Sequence, residues 1–356
     1  MSSTRRLRRI AIVVILFGVT SLLGDMTYEG FRSTIPFLVK AAGGGGLELG
    51  EVIGLGEALN WILRIATGFL ADLLRAYWAI TLLGYMLTPL GVAIAVSTAS
   101  LTAIALGVAI ERLGKAVRTP ARDALLSRLS EKSYGLIFGI HELLDQVGAI
   151  LGPFYAFVLV MEGTSLVWLA LPGLFTALSL GLAYLFYPRE AKPIMLAEEK
   201  RRLGLKDIKL MVRIIAIAIA SSAPILHPVI VVYGGQILYS MGGESILLYL
   251  VAMLADALAA IPLGLAWDKL GPRSLLIAPI IGFSSLPAII VSPWVSAVLS
   301  GSGVAGLETV LRAYVARTVP SDQRATAYGA LALGVGVGTA LAALAYPLLI
   351  DRIAQA

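Results

Sequence analysis

The chain has 356 residues, of which 58% are hydrophobic and only 14% are charged, with a formal net charge of +6. Soluble domains carry about 25% charged residues, so this composition excludes an ordinary water-soluble protein and indicates that lipid covers much of the surface. The sequence contains no cysteine, which excludes disulfides, thiol chemistry and thiolate metal sites.

Apolar segments of membrane-spanning length follow one another along the chain. A bilayer core of about 30 Å requires about 20 apolar residues in a helix. We predict an all-α polytopic membrane protein with eleven spans, at 9–39, 46–74, 77–97, 99–126, 134–160, 165–187, 208–238, 245–268, 274–291, 294–317 and 325–350. A polar stretch divides them into a six-helix bundle (1–187), a cytoplasmic linker (188–207) and a bundle of five spans (208–356).

The basic residues set the orientation. With a cytoplasmic N-terminus, only Lys40 and Arg352 of the 28 Lys and Arg fall in outer segments. This positive-inside distribution predicts a multi-pass protein of the inner or plasma membrane. The basic residues are scattered over short loops, so they do not form the continuous basic face of a nucleic-acid-binding protein.

The first segment carries charges that are costly inside a bilayer, at about 2.5–3.5 kcal/mol each on insertion scales. Asp25, Glu29 and Arg32 are spaced i, i+4, i+7 and share one helix stripe, with Tyr28 beside it. Because two acids face one base, we interpret Asp25 and Glu29 as proton-binding groups and Tyr28 and Arg32 as cavity residues. The alternative is an internal salt bridge that only holds helices together.

The second segment repeats this spacing with Glu57, Trp61 and Arg64. We predict that Glu57 takes part in proton coupling and that Trp61 and Arg64 line a cavity, and a structural ion pair is the alternative. The segment ends in Gly68-x-x-x-Asp72, which we assign to a gate.

The fourth segment carries several basic residues. Arg112 lies deepest and is predicted to contact the substrate or the proton site. Arg118 and Arg122 lie nearer the cytoplasmic end, so we assign them to the gate.

The fifth segment places His141 and Asp145 four residues apart on one face, so the carboxylate could orient or charge the imidazole. We include both among the proton-coupling residues. Gly148 and the pair Gly152-Pro153 are predicted to let a neighbouring helix approach closely and to bend the helix.

The pattern His141-Glu142-x-x-Asp145 resembles the zinc motif His-Glu-x-x-His, but the second His is absent. A three-ligand zinc site would need an acid in its place and a distant third ligand. We therefore predict no metal site, no cofactor and no enzymatic activity.

The C-terminal half contains few charges within its spans. Its candidate cavity residues are His227, Tyr233, Asp256, Glu308 and Arg312. Glu308 and Arg312 are spaced i, i+4, so they could also simply pair.

The two halves of the chain repeat one motif. One apolar span ends in Gly68-x-x-x-Asp72. Roughly half a chain later, another span ends in Gly264-x-x-x-Asp268, followed by Gly271 and Arg273. Repeated helical bundles are how carriers build two gates around one central site. We assign all of these residues to gating, and the repeat predicts a secondary transporter with two pseudo-symmetric bundles.

The C-terminal copy of this motif, together with the hydropathy of the whole chain, resembles the major facilitator superfamily. Gly264-x-x-x-Asp268-Lys-x-Gly271-x-Arg273 is similar to the signature loop between the second and third helices of each half. The N-terminal copy, at 68–76, departs from the signature after its Asp.

Two further stretches, 114–125 and 138–153, resemble a group of prokaryotic facilitators catalogued as drug or metabolite exporters. The group carries an acid pair in helix one, matched by Asp25 and Glu29, and a helix-two Glu, matched by Glu57. The resemblance implies proton-coupled export by alternating access. The resemblance also implies twelve helices, whereas the sequence predicts eleven spans. A twelfth helix that is naturally missing, a truncated sequence and two spans merged into one are the alternative explanations.

We therefore predict a proton-coupled antiporter that exports a small amphipathic or cationic solute. The Gly-Pro element of helix five, matched by Gly152-Pro153, is associated with antiporters in the family. The expected partners are a small-molecule substrate, protons and the lipid bilayer, and the expected state is a monomer. The alternatives are an uptake symporter or facilitator for an anionic metabolite, and a non-transporting membrane sensor or assembly partner.

Overall fold

The computed structural model describes residues 3–129, 134–188, 205–319 and 324–356, and within these ranges all regular structure is helical. The α-helices are α1 (Ser3–Ala41), α2 (Gly46–Leu74), α3 (Tyr77–Val96), α4 (Leu101–Ser127), α5 (Tyr134–Met161), α6 (Ala170–Phe186), α7 (Leu205–Ser222), α8 (Pro228–Leu238), α9 (Ile246–Leu270), α10 (Ile277–Val291), α11 (Pro293–Thr318) and α12 (Arg324–Gln355). Short 3-10 turns precede α6, α9 and α10, at Leu166–Leu169, Gly243–Ser245 and Gly271–Leu276.

The helices follow the predicted spans, and the seventh span is broken into α7 and α8. Pro224 and Pro228 bracket the break, and Pro228 opens α8 at its first turn, where its missing N–H is not needed. His227 caps α8, because its Nδ1 accepts a hydrogen bond of 3.2 Å from the Val229 N–H.

The surface of the helices is strongly apolar. By length and hydropathy alone, seven stretches of the described residues are suited to cross a membrane, and Pro228–Leu238 is a shorter apolar helix. Large side chains on these helices are open to their surroundings, including Leu185 at 74%, Leu258 at 75% and Val291 at 83% exposure. Apolar exposure on this scale indicates a lipid-facing surface.

The chain forms two compact units. The first unit comprises Met1–Arg32, Ile62–Thr98 and Ala105–Lys200, and the second comprises Ser33–Trp61, Ala99–Ile104 and Arg201–Ala356. The division predicted at the linker therefore differs from this grouping at the end of α1, in the first half of α2 and at the start of α4. Residues 189–204 of the predicted linker lie outside the described residues.

Aromatic and aliphatic side chains fill the core of each unit. In the first unit, the Trp78 ring lies 5.5 Å from Phe17 and 5.1 Å from Tyr187, measured between ring centroids. In the second unit, Trp267 and Tyr314 meet edge-to-face at 6.3 Å. These contacts fix the helices that carry the polar groups.

Glycines bring α5 directly onto the backbone of α1. A Cβ atom added at Gly152 would lie 2.6 Å from the Met26 carbonyl oxygen and 2.7 Å from the Gly30 nitrogen. A Cβ atom at Gly148 would collide with the carbonyl oxygen of Leu22. Only a residue without a side chain permits this approach, which is a common way for membrane helices to pack.

The second unit uses the same device between α12 and α7. A Cβ atom at Gly334 would lie 2.6 Å from the Ile215 carbonyl oxygen, and one at Gly338 would collide with Ser222. Gly139 and Gly148 of α5 have the same spacing as Gly329 and Gly338 of α12, so the two helices correspond in the two halves of the sequence. The two units therefore share a backbone-to-backbone contact between equivalent helices.

We expect Gly152→Ala to lower the free energy of unfolding by about 1–3 kcal/mol, because the added methyl group must push α1 and α5 apart. Gly181→Ala in α6 is the matched control, since nothing lies within 4 Å of its added Cβ atom. The control should be neutral or stabilising by up to about 1 kcal/mol from helix propensity. Denaturant titration in detergent measures both. Equal effects of the two substitutions would contradict the packing argument.

Candidate functional site

Buried ionisable side chains are concentrated in the first unit, on α1, α4 and α5. Six acidic, basic or histidine side chains on these helices are at most 6% exposed, namely Asp25, Glu29, Glu111, Arg112, Arg118 and His141. A charge removed from water needs a partner, so the contacts of these groups define what the site can do.

Asp25 lies at the centre of a chain of polar contacts between α1 and α4. The Tyr28 hydroxyl donates to Asp25 Oδ2 at 3.2 Å, and Lys115 Nζ donates to the Tyr28 hydroxyl at 2.5 Å. Arg118 Nη2 lies 3.7 Å from Asp25 Oδ1. The i, i+3 spacing of Asp25 and Tyr28 on α1, and of Lys115 and Arg118 on α4, places each pair on one face.

Arg118, which the sequence assigned to the gate, is held in the core, and its gating role stays a prediction. The side chain is only 1% exposed, and its Nη1 donates to Thr88 Oγ1 at 2.7 Å. Its guanidinium carbon lies 4.8 Å from the centroid of the Tyr85 ring. Gly84 makes room for it, since a Cβ atom there would lie 2.6 Å from the Arg118 Cβ.

A second polar group joins α1, α4 and α5 around Ser21. The Ser21 hydroxyl donates to Asp145 Oδ1 and accepts from Arg122 Nη1 at 3.1 Å. Arg122 Nε also donates to Asp123 Oδ1 at 2.9 Å. Arg122, which the sequence assigned to the gate, therefore lies beside the predicted proton-coupling residue Asp145.

His141 lies one turn before Asp145 on α5 and is 3% exposed. Neither of its ring nitrogens has a hydrogen-bond partner among the described residues. A buried imidazole without partners is costly to charge, so this arrangement is suited to a neutral ring.

Arg112 and Arg32 are each paired within their own helix. Arg112 Nε lies 2.9 Å from Glu111 Oε2, and Arg32 Nη1 lies 3.6 Å from Glu29 Oε1. The Arg112 guanidinium also lies 5.6 Å from the centroid of the Tyr28 ring. Both residues thus keep the general location that the sequence predicted, with a neighbouring acid as counter-charge.

The predicted residues of α2 fall in both units. Glu57 is 6% exposed and Trp61 is half-buried, and both belong to the second unit. Arg64 is half-buried and belongs to the first unit. In the same unit, a Cβ atom added at Gly68 would lie 3.4 Å from Pro120. The side chain of Asp72 lies outside the described part of the chain.

In the C-terminal half, Asp256 is buried and Glu308 is half-buried, and the cavity roles predicted for His227 and Arg312 stay predictions. His227 is the helix cap already described. Arg312 is exposed, because Leu311 and Val315 form the buried face of α11 and Arg312 lies off that face.

Tyr233 is buried, and its hydroxyl donates to Asp351 Oδ1 at 2.5 Å. Sequence reasoning singled out Tyr233 but missed this acid. It also missed Ser21 and Lys115 as members of the site, although Ser21 lies four residues before Asp25 on the same stripe.

The C-terminal gate motif lies at the end of α9. Gly271 ends this helix with a φ of +57°, a conformation that favours glycine. Asp268 and Arg273 are exposed, and the space around Gly264 is open. The gating role of this loop stays a prediction.

Comparisons with known proteins settle the family. The family model described as Major Facilitator Superfamily matches residues 214–354. An uncharacterized protein of Mycobacterium tuberculosis, Rv2265, is 35% identical over 357 residues, which cover 92% of this chain and 84% of that protein. MJ1317 of Methanocaldococcus jannaschii, named an uncharacterized MFS-type transporter, is 28% identical and covers 95% of this chain and 88% of its own length. The chain belongs to the Major Facilitator Superfamily.

A solved structure shows the same superfamily fold. The crystal structure of a bacterial homologue of the human lysosomal transporter Spinster superposes with a TM-score of 0.73 at 14% sequence identity, covering 97% of this chain and 82% of that one. The predicted all-α superfamily fold is thereby confirmed. The superfamily also confirms a membrane transporter rather than an enzyme.

The pair of Asp25 and Arg118 should show energetic coupling. Arg118→Gln removes the guanidinium that contacts the buried acid and leaves Lys115 linked to it only through Tyr28, so we expect a loss of about 1–3 kcal/mol in the free energy of unfolding. Adding Asp25→Asn should recover part of that loss, because the uncompensated charge is then removed. A double-mutant cycle in detergent measures the coupling, with exposed Arg352→Gln as the control. Strictly additive effects would show that the two groups do not interact.

Proposed function

We propose that this superfamily member is a proton-coupled antiporter that exports a small amphipathic or cationic solute, with Asp25 as the group that carries the proton. The contacts of Asp25 support this role. Its carboxylate has one neutral donor, Tyr28, and a guanidinium, Arg118, that lies 3.7 Å away and beyond hydrogen-bond distance. A buried carboxylate held this loosely can exchange its proton when the distance to the guanidinium changes.

Competition at one carboxylate couples the two fluxes. A proton and a cationic solute both neutralise Asp25, so binding of one disfavours binding of the other. A transporter that changes its access side only with a neutralised site then exchanges solute for protons. The hydroxyl of Tyr28 connects Asp25 to Lys115 on α4, so a movement of α4 against α1 alters the site directly.

Other acids of the first unit have supporting roles in this proposal. Asp145 accepts from Ser21, which is itself bound by Arg122, so its charge is more fully compensated than that of Asp25. Glu29 has Arg32 as a partner within its own helix. We place these two acids and His141 as supporting groups near the proton carrier, and the role of Glu57 in proton coupling stays a prediction from the sequence.

The location and assembly state are part of the same proposal. The positive-inside distribution supports an inner-membrane protein with a cytoplasmic N-terminus. The polar groups of the first unit find their counter-charges within one chain, which supports function as a monomer.

Asp25→Asn should abolish solute flux driven by a pH gradient in proteoliposomes. It should also remove the pH dependence of solute binding in detergent, because the amide neither binds a proton nor attracts a cation. Glu162→Gln is the matched control, since this acid is exposed in the turn after α5. Coupled flux that survives in the folded Asp25→Asn protein would eliminate Asp25 as the proton carrier.

Uptake of an anionic metabolite is the second candidate, and one observation favours it. Three cations surround the Tyr28 ring, with Lys115 Nζ at 4.0 Å, the Arg118 guanidinium at 5.5 Å and that of Arg112 at 5.6 Å from its centroid. An anionic solute would be drawn to such a group.

Lys115→Gln separates the two candidates. For a cation antiporter, loss of this positive charge leaves or strengthens solute binding. For an anion carrier, binding weakens, and we expect a factor of roughly tenfold, equal to about 1.4 kcal/mol. A thermal-shift screen over cationic, neutral and anionic solutes, read for both proteins, measures the difference.

A further inference from the structure

The first half of α2 contacts α12 through a row of glycines four residues apart. A Cβ atom at Gly46 would lie 2.7 Å from the Pro347 carbonyl oxygen, and one at Gly50 would lie 2.6 Å from the Ala343 carbonyl oxygen. At Gly54 the α12 backbone is still within 3.5 Å of the added Cβ atom. Both segments belong to the second unit, so this contact lies inside one compact body.

The carboxylate of Asp351 accepts two hydrogen bonds at the end of this row of glycines. The Gly46 N–H at the start of α2 donates to Asp351 Oδ2 at 2.9 Å, and the Tyr233 hydroxyl of α8 donates to Oδ1 at 2.5 Å. Asp351 therefore joins three helices, α2, α8 and α12. The first N–H groups of a helix lack partners and carry partial positive charge, so a carboxylate is a favourable cap for them.

The bond from Gly46 to Asp351 differs from other carboxylate caps in the structure. Glu48 accepts from the Gly45 N–H at 2.8 Å, and Glu244 accepts from the Gly242 N–H at 2.9 Å, so both caps stay within their own turns. The Asp351 bond spans 305 positions of sequence. It therefore reports on the distance between two helices rather than on the shape of one turn.

We infer that Asp351 is a latch that holds the first turn of α2 against α12 at the end of the protein predicted to face outwards. At Gly46 and Gly50 the atoms nearest to an added Cβ atom include backbone atoms of α12, so this part of the contact is made largely by the two helix backbones. The capping bonds of Asp351 must break when α2 leaves α12. α2 is also divided between the two units, which makes its first half the part whose partner changes as a transporter alternates.

This inference requires only alternating access and does not depend on proton coupling. The contacts of Asp351 lie in the second unit, whereas those of Asp25 lie in the first. A failure of the Asp25 proposal leaves the latch unaffected, and the reverse also holds.

Spin labels at Leu47→Cys and Leu348→Cys test the latch. Both side chains are exposed, at 48% and 40%, and the chain has no native cysteine. Double electron–electron resonance in nanodiscs measures the distribution of distances between the two labels. This distribution gives the ratio of molecules with α2 and α12 separated to molecules with the two helices in contact. Loss of a helix cap predicts that Asp351→Ala raises this ratio roughly twofold to thirtyfold. Asp351→Asn keeps an acceptor oxygen and should fall between Asp351→Ala and the parent protein.

Two further variants keep the test decisive. Glu244→Ala removes a carboxylate cap within one turn and should leave the distance distribution unchanged. Gly50→Ala should raise the separated population without touching Asp351, because its methyl group meets the α12 backbone.

If Asp351→Ala does not fold, Tyr233→Phe replaces it, with a smaller increase expected. A distribution unchanged in the folded Asp351 or Tyr233 variants, or shifted equally by Glu244→Ala, would overturn the latch.

Discussion

The need to compensate ionised side chains inside lipid-embedded helices determines how the first unit is built. Asp25 on α1 contacts Arg118 of α4 directly, and the hydroxyl of Tyr28 on α1 links it to Lys115 of α4. The guanidinium in turn donates to Thr88 on α3. Three helices are thus joined by one chain of polar contacts. Any movement between them changes how well the carboxylate is compensated, and our proposal of a proton-binding step at Asp25 rests on this sensitivity.

Backbone contacts at glycine complement these polar bonds. Gly152 sets α5 against α1, Gly334 sets α12 against α7, and Gly50 sets α2 against α12. Contacts of this kind bring helix backbones directly against one another. In our proposal, the contact between α2 and α12 is the one that opens during transport, and Asp351 holds it closed.

Hydropathy and the repeated motif were sufficient for the fold. The spans follow from apolar runs, and the residues of the i, i+4, i+7 stripe, Asp25, Glu29 and Arg32, are all buried, as is Tyr28 beside them. The partners between helices could not be predicted, because periodicity orients a helix only relative to itself. The burial of Arg118 against Gly84 of α3, for example, cannot be read from the spacing of residues along α4. His227 caps α8 because the helix breaks between Pro224 and Pro228. A hydropathy profile does not reveal such a break.

The most direct test of the central claim is the count of protons released when solute binds at fixed pH. A weakly buffered solution of the purified protein, titrated with the solute found by thermal-shift screening, reports this count through a pH indicator. Competition at Asp25 predicts proton release that rises with solute saturation, depends on pH and disappears in Asp25→Asn. Tight solute binding with no proton release at any pH would contradict the account, and the acids of the first unit would then be structural.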